Sequence, residues 1–181
     1  MKKLLTVILP ACFFIISCND QKSNETAVSA EATSSDQSKT YAYATARPVG
    51  WEWGSTDNLE ISMNALKAYE SGNIEECMKY FADTVRLEFD GFEKVVSRDS
   101  LSAMFNKQRS SYKNVTVRME DYESVKSKSN GNEYVSLWYK EITEDSKGKI
   151  DSVECINDIG IKNGKIILLN EKTRHYMERK A

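Results

Sequence analysis

Histidine, proline and clustered positive charge are what this chain has least of. One His and two Pro occur in 181 residues, and 25 Lys+Arg are set against 27 Asp+Glu. A formal net charge of −2 argues against nucleic acid as a partner, since that binding needs clustered positive charge. One His excludes a His-rich metal cage and any chemistry needing two imidazoles. No Cys-x-x-Cys, no metal-ligand spacing and no Gly-rich phosphate loop occurs, so the residues imply no metal and no cofactor.

Long apolar runs are also missing, and the one short run is informative. Met1-Lys2-Lys3 is basic, and Leu4 to Ile16 is apolar except for Thr6 and Pro10. At about 13 residues it falls short of the ~20 that span a bilayer, and it has the form of a secretory signal. The run ends Phe14-Ile15-Ile16-Ser17-Cys18, which resembles a bacterial lipobox. That resemblance implies removal of residues 1–17 and acylation of Cys18, with palmitate-type chains holding the protein to a membrane. Two or more chains anchor stably where one binds only marginally. The implied location is the bacterial cell envelope, periplasmic or surface-facing. Export permits a disulfide between Cys77 and Cys155, and two separate core thiols are equally compatible with their spacing.

Residues 18–50 are mostly Ser, Thr, Ala, Asn, Gln and isolated charges, with Val28 the one aliphatic core former before Thr45. Such a segment cannot offset its ordering entropy by burial, and it reads as a tether. Tyr41, Tyr43, Trp51 and Trp53 then mark the approach to a folded domain at 51–181, as a cap on its core or a lid over a cavity.

Asp57 to Glu60 has the spacing of a capping box, and Leu59, Met63, Leu66 and Tyr69 follow at helical intervals up to Gly72. Asn73 opens a second, short helix through Ile74, Cys77, Met78 and Phe81. Val85, Leu87 and Phe89 alternate with Arg86, Glu88 and Asp90, which predicts a half-buried strand. A third helix is expected over Arg98–Tyr112. Beyond Asn114 the period falls to two, and four long strands joined by turns at Ser129–Asn132, Lys147-Gly148 and Asn163-Gly164 predict an antiparallel meander. Helices first and strands after make the class α+β.

The segments Ala68-Tyr69-Glu70-Ser71-Gly72-Asn73, Tyr80-Phe81-Ala82-Asp83 and Asp158 to Ile166 carry a family resemblance. In this order they resemble the nuclear transport factor 2-like superfamily, and within it the SnoaL-like branch, over roughly residues 56–176. The resemblance implies a cone-shaped, curved antiparallel sheet wrapped by three N-terminal helices, with a pocket at the wide end. Enzymes and binding domains share that fold, so it does not by itself assign an activity.

Members that are enzymes place an acid near the end of the first strand, and Asp90 stands there. Tyr69, Tyr80, Trp138, Tyr139 and His175 are the residues expected to line the pocket. Ketosteroid-isomerase-like members use a helix-1 Tyr where this chain has Ser62-Met63-Asn64-Ala65, which counts against that mechanism. The principal expectation is therefore an anchored domain that binds a small, partly apolar ligand or a protein partner. The alternative is an isomerase, cyclase or dehydratase using a carboxylate base. A homodimer through the sheet face is the further partner the resemblance implies.

Overall fold

The computed structural model describes Ala42, Tyr43 and residues 50–175. The chain separates into two units, 1–42 and 43–181. The expected signal segment, Cys18 and nearly all of the expected tether lie outside the described residues, as do Tyr41 and Tyr176. The second unit runs β1 (Trp51–Trp53), α1 (Thr56–Glu70), α2 (Ile74–Met78), β2 (Phe81–Phe89), β3 (Phe92–Ser97), α3 (Arg98–Arg109), β4 (Tyr112–Ser127), β5 (Glu133–Asp145), β6 (Ile150–Lys162) and β7 (Lys165–His175).

Side-chain caps set the helix ends. Ser55, rather than Asp57, caps α1 by accepting the Asp57 N–H at 3.1 Å. At the other end Gly72 takes φ +82°, while the Gly72 and Asn73 N–H groups donate to the Tyr69 and Ala68 carbonyls, each at 2.9 Å. That pair of bonds stops the helix and turns the chain at once into α2. Asn73 caps α2 as expected, accepting the Glu76 N–H at 3.1 Å. The third helix ends at Arg109, earlier than expected, because Tyr112 opens β4.

The sheet has seven strands in the order β1-β4-β5-β6-β7-β2-β3. The meander β4 to β7 is antiparallel throughout, as its period of two requires. The expected wholly antiparallel sheet is nonetheless corrected to a mixed one, since β2 pairs with β7 in parallel. The cause is topological: the chain leaves β3 through α3, crosses to β4, and brings its last strand back beside its first long one. Two edge strands add to the expected set. Asp90-Gly91 is a two-residue turn, with Gly91 at φ +73°, that folds β3 against β2 and sets Phe89 opposite Phe92. The three residues of β1 pair with Val125–Ser127 at the far edge.

α1 and α3 supply Ala65, Ala68, Tyr69, Leu101 and Phe105 to one core shared with the inward side chains of β2, β5, β6 and β7. Val85, Leu87, Leu101, Val135 and Leu137 are fully buried there. Cys77 and Cys155 are both buried free thiols, so the separate-thiol reading holds in this structure. Burial pushes each up to about 12, which keeps them inert. Trp51 and Trp53 form neither cap nor lid: both are exposed on the edge strand, and Trp51 meets Tyr134 edge-on at 6.0 Å.

Candidate functional site

Between the helices and the inner sheet face lies a cavity of about 700 Å³, well within the usual size of a small-molecule site. α1 lines one side with Ser62, Ala65, Leu66 and Tyr69, and α3 another with Met104, Phe105, Lys107 and Gln108. Small residues on α1 are what leave this room. Ser62 is turned back on its own helix, its hydroxyl donating to the Asn58 carbonyl at 2.9 Å. The inner end is aromatic, with Phe105 edge-on to Tyr69 at 5.3 Å and to Phe81 at 6.0 Å.

The sheet contributes the polar groups. On β5 the inward register runs Val135, Leu137, Tyr139, Glu141, and on β7 it runs Leu169, Glu171, Thr173. β6 places Asn157 between them, opposite Leu137 on one side and Glu171 on the other. Alternation therefore carries apolar residues to the core and acids to the cavity from the same strand faces.

These groups bond to one another. The Asn157 Nδ2 donates to the Tyr139 hydroxyl at 3.0 Å, and that hydroxyl donates to Glu171 Oε2 at 3.3 Å. Burial pushes Glu171 above the ordinary carboxylate range, while the bonds from Tyr139 and Asn157 oppose the rise and the charge of Asp90 adds to it. Glu141 is pushed up to about 7, chiefly by burial and then by the charge of Glu171, with Arg109 pulling the other way. Burial also drives the Tyr139 and Tyr69 hydroxyls upward, so both stay protonated. The cavity thus holds two carboxyls of raised affinity for protons and two phenols that remain donors.

The residues expected in the pocket divide in two. Tyr69, Tyr139 and Asp90 line the cavity; Tyr80, Trp138 and His175 do not. Asp90 lies exposed in the β2–β3 turn at the mouth, and it is Glu141 and Glu171 that reach the interior. Tyr80 sits after α2 on the other side of α1, beside Ala68 and Asn73. Trp138 falls between Leu137 and Tyr139 on β5 and so points to the opposite sheet face, across from Ile156. His175 is exposed at the end of β7, paired with Val153. Sequence reasoning missed Glu141, Glu171 and Asn157. Their signal was present, because each is a polar residue at an inward position of an otherwise apolar strand face.

Among the described residues no three His, Cys, Asp or Glu side chains cluster so as to hold a metal ion. No family model and no curated protein matches the sequence. Solved structures do match in fold. AusH from Aspergillus nidulans superposes with a TM-score of 0.56 at 13% identity, over 71% of this chain and 90% of that one. An NTF2-like protein from Anabaena variabilis gives 0.55 at 12%, over 68% and 94%. An LEH-like epoxide hydrolase of M. tuberculosis gives 0.55 at 11%, over 66% and 84%.

Proposed function

We propose, from a fold that is nuclear transport factor 2-like, that this chain is a binding protein whose cavity takes one small, partly apolar molecule. One observation carries the reading. Largely apolar side chains of α1 and α3 bound a cavity of about 700 Å³, and Tyr139, Glu141, Asn157 and Glu171 face it from the sheet. Native mass spectrometry of the protein as purified is expected to release a bound small molecule on denaturation. Nile red is expected to bind one-to-one, and Leu66→Trp, which fills the cavity from α1, to abolish it. A bare mass together with no dye binding would overturn the reading.

A second reading is favoured by Glu141. A carboxyl raised to about 7 both holds and releases a proton near neutrality, and general acid–base catalysis requires that property. The neighbours in fold include an epoxide hydrolase, which agrees with a pocket enzyme of this kind. Here Glu141 would act as the base and the protonated form of Glu171, held by Tyr139, as the polarising donor. Incorporation of deuterium from D2O into the co-purified ligand, lost in Glu141→Gln, would establish it; no incorporation in the unaltered protein would remove it.

The same proposal sets the domain on a membrane through acylated Cys18, facing the periplasm or the exterior. Support comes from the basic, apolar and Cys-terminated order of the first eighteen residues. Among the described residues no helix is long and apolar enough to cross a membrane. Labelled palmitate is expected in the unaltered protein and its membrane fraction. Label retained in Cys18→Ala would disprove the anchor. The proposal also extends to self-association through the outer sheet face, where Ile156 is exposed beside Trp138; a monomer by light scattering would remove that part.

A further inference from the structure

The sheet side of the cavity gathers acceptors at Glu141, Asn157 and Glu171. Asn157 is 5% exposed, and its Nδ2 is committed to the Tyr139 hydroxyl. That bond fixes which way the amide points and leaves Oδ1 as the free end. The Asn157 Oδ1 is buried with no hydrogen-bond partner in the protein. Such an atom is costly to leave unpaired and calls for a donor. Glu171 is the cross-strand neighbour of Asn157 on β7, and Glu141 lines the same cavity two inward positions further along β5, opposite Val153. The Tyr139 O–H is already given to Glu171.

Among the described residues that line the cavity Lys107 is the one basic side chain, and Arg109 acts on Glu141 through its charge. Lys107 is exposed at the mouth. Arg109 is held elsewhere, its guanidinium donating to the Glu70 carbonyl at 3.1 Å and 3.3 Å and to the Tyr112 carbonyl at 3.0 Å.

We propose that the cavity selects an amphiphile whose polar end is a protonated amine, donating to Asn157 Oδ1, Glu141 and Glu171, with its apolar body against Tyr69, Phe105 and Leu66. An ammonium carries three N–H donors, which is the number of acceptor groups it meets. Its charge also relieves the repulsion between the two carboxylates, since an opposite charge close by favours the ionised form. A carboxylate or phosphate ligand meets like charge. A carbonyl ligand brings another acceptor and leaves Asn157 unsatisfied. An alcohol brings one donor and no charge.

This inference rests on the small-molecule reading of the cavity, and one titration separates the two. Calorimetry on the full chain at pH 7.5 compares three probes of matched size: 2-phenylethylamine, 2-phenylethanol and 3-phenylpropanoate. The amine is expected to bind at least ~10-fold more tightly than the alcohol, by the tenfold-per-1.4-kcal/mol relation for one added charged hydrogen bond. The phenylpropanoate is expected to give no binding heat. Glu171→Gln is expected to erase most of the amine's advantage over 2-phenylethanol while keeping the far-ultraviolet circular dichroism of the unaltered protein, which a misfolded variant would not do. Alcohol or carboxylate binding as tightly as the amine would overturn the amine assignment and leave the pocket standing. Binding of none of the three would overturn the pocket reading and the assignment with it.

Discussion

Glu141 ties the site to the stability of the fold. A glutamate of ordinary value 4.5 that is raised to about 7 keeps its proton in the native state after the unfolded chain has lost it. The native state then binds more protons across that window, so stability is full below the unfolded value and falls as pH rises through it towards 7. At 1.36 kcal/mol per unit, the loss attributable to this group is at most ~3 kcal/mol. Glu171 is raised by burial too and acts in the same direction. The facing groups are Glu171 on β7, Arg109 at the end of α3 and Tyr69 on α1. Urea denaturation at pH 5 and pH 8 is therefore expected to show a clear loss of stability on going to pH 8. Glu141→Gln, which carries no charge, is expected to flatten the difference. Equal slopes for the two proteins would contradict the assignment. At this scale the sequence was partly legible. Of the residues the resemblance suggested, Tyr69, Tyr139 and Asp90 lie on the cavity and Tyr80, Trp138 and His175 do not. Glu141, Glu171 and Asn157 were missed because a charge in a strand ordinarily faces water, and only the parity with Leu137 and Leu169 reveals otherwise.

The elements are held at their ends by a few contacts that can be broken singly. Removing the cap in Asn73→Ala is expected to cost about 1 kcal/mol, read as a lower urea midpoint with an unchanged slope. Gly54 gives a sharper case. Its N–H donates to the Ser124 carbonyl at 2.8 Å, and a Cβ built on it would lie 2.3 Å from the Ser124 Oγ and 2.9 Å from the Val125 amide nitrogen. Backbone cannot withdraw as a side-chain tip can, so Gly54→Ala is expected to lose roughly 1–3 kcal/mol in thermal unfolding. Helices α1 to α3 and the meander were readable because periodicity and caps agree locally. β3 followed an Asp-Gly dipeptide that signals a hairpin, but its exposed Phe92, Glu93, Lys94 and Val95 show no alternation of burial. β1, at three residues, is too short to have a period at all.

For the whole molecule, twenty buried hydrophobic residues from Ala65 to Leu169 form one core cluster. Leu137 on β5 is fully buried within it, and Leu137→Ala is expected to remove roughly 2–5 kcal/mol, a large share of the ~5–15 kcal/mol that holds a domain together. A single calorimetric transition of the full chain, shifted as a unit by that change, is the expected outcome; two separate transitions would contradict one shared core. What no local pattern could reveal was the parallel partner of β2, because pairing between distant strands is decided by the path of the chain and not by either strand's own residues.

That pairing has a consequence for how the domain is made. The register sets Leu87 beside Leu169 and Glu88 beside Asn170, so the hairpin β2–β3 joins the sheet only when a loop of about 80 residues closes. Helices α1 and α2 and the antiparallel turns assemble from near neighbours, whereas this seam waits for β7 to leave the ribosome. The slow step of folding, and the interval in which the edges of β2 and β7 stand open to another chain, are both set by that one junction.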